Sequence, residues 1–149
     1  MTVYTANNVK AFMAALLKGN VFDKFQLREI TICSFASFNI SGEKSGDERG
    51  TFCRWSEIRP YAFDIIKGKR LPELIKVVFS LPPGETGLDL KDSSAVFLNI
   101  TYENDSISCV TGMSMKNFSL DHTAMYAFDE YIGDFFAQNG ISVTNESID

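Results

Sequence analysis

The residues best suited to do chemistry are gathered in one run, Arg54-Trp55-Ser56-Glu57-Ile58-Arg59-Pro60, which leads to Ile66-Lys67-Gly68-Lys69-Arg70-Leu71-Pro72. Arg54, Arg59, Lys67, Lys69 and Arg70 offer cations, and Trp55 offers a flat aromatic face. Arginines present planar paired donors that match phosphate and carboxylate. Trp55 beside Arg54 could stack a base or a partner side chain. The chemistry such a set supports is anion or acidic-partner binding. Each residue also has a plainer reading. Cations near a helix end complement its partial negative charge. Gly68 fits a left-handed helix stop. A Trp before a helix cap commonly packs as a staple against the fourth helical residue, here Pro60 with Tyr61 next.

Charge makes the run stand out. The chain has 149 residues and a net charge of −5. Residues 1–48 balance to zero, 49–76 sum to +4, and 77–149 sum to −9. The acidic total disfavours general nucleic-acid binding, although the basic 54–76 segment keeps a nucleic-acid or phosphoanion binder as the second reading. A homo-oligomer or an acidic protein partner fits the charge segregation better.

No catalytic constellation is visible. His122 is the only histidine, which removes His-cluster metal sites and His-paired nucleophiles. Cys33, Cys53 and Cys109 are odd in number and widely spaced, as expected of buried thiols in a reducing cytoplasm. Glu130 and Asp134 share a helix face at i,i+4, with Asp129 rotated away, and read as a solvated face rather than a cation site. We therefore expect no cofactor, no metal and no catalytic residues. No apolar run approaches the ~20 residues that span a bilayer, and no signal pattern opens the chain.

The elements that must position these residues follow from periodicity. Residues 8–18 read as an amphipathic helix with Val9, Phe12, Met13, Leu16 and Leu17 on one face, capped by Asn7 or Asn8 and ended by Gly19. Residues 25–41 read as a long strand or bent pair, and 51–53 as a short returning strand. A second helix spans 56–67, with Ser56 as its cap and Pro60 in its first turn. Strands follow at 74–81, 95–103 and 106–112, the last two joined by an Asn104-Asp105 hairpin turn, with 115–119 a candidate extension. A third helix covers 121–138 with Asp121 as its cap. The expected fold is α+β: a mainly antiparallel sheet, β-hairpin plus β-meander, with three helices in the order α-β-β-α-β-β-β-α. One domain covers 1–141, and 142–149 is a polar tail expected to be disordered. The candidate core is Phe12, Leu16, Ile65, Phe79, Leu98, Ile100, Phe128, Ile132 and Phe135.

Trp55-Ser56-Glu57-Ile58-Arg59-Pro60, then Phe63, Ile66-Lys67-Gly68-Lys69-Arg70 and Pro72, resembles a family of uncharacterised bacterial proteins, a domain of unknown function in Gram-positive anaerobes. The resemblance extends over nearly the whole chain, including Val9-Lys10-Ala11-Phe12-Met13, Glu29-Ile30-Thr31-Ile32 and Phe97-Leu98-Asn99-Ile100. It implies a bacterial, cytosolic, single-domain protein and brings no activity or site residue with it. A non-enzymatic cytosolic binding or interaction protein, with self-association as one form of that interaction, is the leading expectation; a small-molecule enzyme with a dispersed site is the third.

Overall fold

The computed structural model describes residues 2–68, 70–90, 92–117 and 120–147. Ten elements alternate along them: β1 (Thr2–Ala6), α1 (Val9–Leu17), β2 (Gln26–Cys33), β3 (Ser37–Ser41), α2 (Trp55–Ile66), β4 (Leu74–Leu81), β5 (Ser93–Glu103), β6 (Ser106–Met115), α3 (Thr123–Gln138) and β7 (Val143–Ser147). The strands form one seven-stranded sheet in the order β3-β2-β4-β5-β6-β1-β7. Every pairing between neighbours is antiparallel. The fold is therefore α+β with an antiparallel sheet.

Side chains alternate across that sheet with period two. One row runs Ile30, Val77, Ile100, Cys109 and Tyr4 through directly paired positions of β2, β4, β5, β6 and β1. All five are buried, in one cluster with Phe12, Leu16, Trp55, Phe128, Ile132 and Phe136 from the helices. The three helices thus cover the same face. The adjacent row, Val78, Asn99, Val110 and Val3, lies on the other face and is only half-buried. One-sided coverage is the usual arrangement of an antiparallel sheet.

Local signals explain most boundaries. The Asn8 side chain accepts from the Ala11 amide at 3.0 Å, capping α1. Asn104 and Asp105 take φ values of 53° and 57°, the paired left-handed geometry of a two-residue hairpin without glycine. Gly68 has φ of 70°, just after α2 ends. Asp121 accepts from the Thr123 amide at 2.9 Å and its hydroxyl at 2.6 Å at the start of α3, and these bonds hold its carboxyl below the usual carboxylate range.

Several expectations need correction. The cap of α2 is Arg54, not Ser56. Arg54 is extended, and the Glu57 carboxylate reaches back to accept its amide at 3.0 Å. An acid three residues after the cap outweighs a serine two residues late. Pro60 consequently sits past the first turn, on the exposed side, where water can take the carbonyl it leaves without a donor. The hairpin lies wholly within 26–41, and 51–53 forms no strand of its own: it meets the chain through the isolated bridge Glu43–Phe52 and backbone bonds to Leu27, Gly42 and Lys44. The strand after the Asn104-Asp105 turn continues through Gly112 to Met115; of the proposed 115–119 extension, 118 and 119 lie outside the described residues.

The element order gains a strand at each end. Thr2–Ala6 enters the sheet beside β6, and Val143–Ser147 pairs with it as an edge strand. The 142–149 segment is thus not a disordered tail over Val143–Ser147; positions 148 and 149 lie outside the described residues. Eight of the nine candidate core residues are buried; Ile65 is half-buried, because Ala62 takes the inward position on α2.

Candidate ligand groove

The basic cluster does not converge. Arg54 opens α2 and bonds the Glu85 carboxylate at 2.8 Å and the Lys24 carbonyl. That bond to Glu85 is the main reason its guanidinium is held more firmly protonated. Arg59, five residues on, grips both oxygens of Asp23 at 2.9 Å each, and that bond likewise raises its pKa. Arg70 donates to the Ser34 carbonyl at 2.8 Å. Lys67 pairs with Asp64 at 3.2 Å on an open surface. Lys69 lies outside the described residues. Arg54 ties α2 to the turn after β4, Arg59 ties it to the turn after α1, and Arg70 ties the segment beyond α2 to the β2–β3 turn. These are joints between elements rather than one anion cradle.

Trp55 is neither a stacking platform nor a staple. It is fully buried, its indole N–H donates to the Leu16 carbonyl at 2.9 Å, and its ring meets Phe79 edge-on at 5.3 Å. Because α2 starts at Trp55, the ring belongs to the first helical turn and is swung against α1 and β4.

Periodicity sets Asp129 apart from the acidic helix face, and the structure shows why. It is buried and accepts from the hydroxyls of Thr2, at 3.0 Å, and Thr111. Tyr4 donates its hydroxyl to the Asp129 carbonyl at 2.6 Å. This network pins α3 to β1 and β6. Glu130 and Asp134 face solvent. Cys109 is buried, whereas Cys33 and Cys53 are half-buried, so the expectation of three buried thiols holds for one. Among the described residues, no group of three or more His, Cys, Asp or Glu side chains is placed to hold a metal ion. Among the described residues, no helix is long and apolar enough to cross a membrane.

A concave feature lies elsewhere, between α1 and the end of α2, and has a volume of about 560 Å³. α1 lines it with Val9, Met13, Ala14 and Leu17, α2 with Phe63 and Ile66. Gly68, Leu71 and Pro72 form one border, and Tyr102 with Asp105 from the β5–β6 hairpin form another. Lys10, Lys18 and Lys67 stand around it. Of the predicted site residues that are described, only Lys67 contributes. The groove arises because α1 turns Phe12 and Leu16 fully into the core while Val9 and Met13, one step around the helix, stay half-buried. Leu71 is 82% exposed beside them. Sequence signals for it exist: an apolar face of α1 five residues wide, flanked by lysines at 10 and 18, and a lone Leu71 in a polar stop.

A one-layer antiparallel sheet with helices on one face, carrying an apolar interhelical groove, is the class of protein the geometry defines. The model of a family of unknown function (DUF5721) matches residues 15–144, and the chain belongs to that family. No curated protein and no solved structure matches the chain.

Proposed function

We propose that this is a non-enzymatic, cytosolic binding protein whose site is the groove between α1 and α2. One observation carries the reading: Val9, Met13, Phe63, Ile66 and Leu71 form an unsealed apolar strip in a concave setting. Its volume of about 560 Å³ falls in the range of small-molecule sites, roughly 300–1,000 Å³. The phosphoanion reading of the 54–76 segment has less behind it, since Arg54 and Arg59 already hold carboxylates.

A neutral, environment-sensitive dye such as Nile red tests the reading. The dye should bind with a blue shift, and Ala14→Trp, which fills the groove from an exposed position, should abolish binding without loss of helical signal. Equal binding by both proteins would contradict it. Sedimentation run alongside separates a ligand from a second copy: a dimer dissolved by Ala14→Trp would make the groove a self-association surface.

A further inference from the structure

We propose that the groove takes a single linear amphiphile, an extended acyl chain ended by one carboxylate, with the head at Lys10, at one end of the strip. This rests on the groove being the binding site.

The walls fix the apolar part. Both are helices, whose backbone donors and acceptors bond one another, so the strip offers an occupant almost no hydrogen bonds beyond its rim. An extended peptide would leave its own amides unmatched there, at a cost. A saturated chain has none to match. From Val9 to Leu17 the strip runs eight residues, about 12 Å at the helical rise, which suits an elongated group better than a round one.

The rim fixes the head. Among the described residues, three ammonium groups and one carboxylate, Asp105, border the groove, and Asp64 pairs with Lys67, which leaves a local surplus of one positive charge in a chain of net −5. Lys10 and Lys18 make no ion pair among the described residues. Among the described residues Lys67 meets Asp64, in a pair open to water and correspondingly weak, and the Phe63 ring at 5.8 Å. Lys18 and Lys67 directly follow the ends of α1 and α2, where the helix dipole favours a cation. Lys10 has no such account. It is the second residue of α1, in a first turn that contains no acid, where the dipole opposes a positive charge. A cation placed against its own helix, at the mouth of an apolar groove, is suited to an anion from outside the chain. A recessed strip of this size holds one chain, not a bilayer surface, so the source is a free single-chain carboxylate.

Displacement of Nile red by dodecanoate, hexanoate, dodecanol and dodecyltrimethylammonium, all below micelle formation, tests this. Dodecanoate should displace the dye at concentrations at least about tenfold lower than dodecanol, a gain of about 1.4 kcal/mol. Between hexanoate and dodecanoate, affinity should rise by up to about fourfold per methylene. Lys10→Gln with Lys18→Gln should bring dodecanoate to parity with dodecanol and leave dodecanol and dye unchanged. Dodecanol or the ammonium amphiphile matching dodecanoate in the unmodified protein would overturn the assignment. So would an unaltered preference in the lysine variant, or capture by anionic phospholipid vesicles without displacement by dodecanoate. Absence of dye binding altogether would be a different result, since it removes the groove as a site rather than the choice of head group.

Discussion

At the scale of single residues, the polar groups this fold buries are satisfied before they are useful. Asp129 receives two threonine hydroxyls, and Trp55 finds a helix carbonyl. Tyr4 and Cys109, directly paired across β1 and β6, are both buried. Burial pushes the Cys109 thiol above its ordinary 9.0. Burial, then the nearby Asp129 and Asp134 carboxylates, push the Tyr4 phenol above 10.0. In both cases the folded state holds the neutral form while the unfolded chain ionises at the ordinary value. Stability from these groups is therefore complete below pH 9 and is lost as pH rises. Denaturant midpoints between pH 7 and 11 should hold steady up to about pH 9 with respect to these two groups and then fall. Cys109→Ala should start lower but delay the fall to about pH 10, where Tyr4 begins to act. Parallel profiles for the two proteins would show that the thiol has no such role.

At the scale of elements, close approach decides what patterns cannot. β2 carries a bulge between Leu27 and Glu29. It turns the Arg28 guanidinium out between the rings of Phe52, at 3.9 Å, and Phe97, at 5.3 Å. Opposite it, the Gly42 amide donates to the Arg28 carbonyl at 3.0 Å, and the Cys53 amide to the Gly42 carbonyl at 2.8 Å. A Cβ on Gly42 would stand 1.8 Å from the Leu27 carbonyl oxygen. Gly42→Ala should cost about 3 kcal/mol or more, because backbone must move. Gly68→Ala, with positive φ but open space, should cost about 1 kcal/mol. Chemical denaturation compares them, and equal costs would contradict the close packing. The same contrast explains what the sequence shows. The helices and the β4–β5–β6 meander are legible because long apolar periods and turn residues agree. The five-residue strands β1 and β7 are not, because they are short and gain their stability from each other and from β6 rather than from a pattern of their own. The start of α2 is displaced by Glu57, whose capping reach depends on backbone geometry.

At the scale of the whole molecule, the charge segregation along the chain does not survive folding as a basic face meeting an acidic one. Arg54 takes Glu85 from the acidic half, and Arg59 takes Asp23 from the neutral segment. What remains is an apolar groove with three lysines, formed by two helices far enough apart in sequence that neither predicts it alone. Its residues were legible singly, as helix face and helix stop; their juxtaposition comes from packing, which the Trp55–Leu16 bond helps to fix. The chain has five methionines, and of the four described, Met13 alone lines the groove. Methyl-labelled methionine spectra recorded during a dodecanoate titration therefore report the site directly. The Met13 methyl should shift in a saturable manner while Met113, Met115 and Met125 hold still. A Met13 signal that does not move, or shifts confined to the other methionines, would contradict the groove as the binding site.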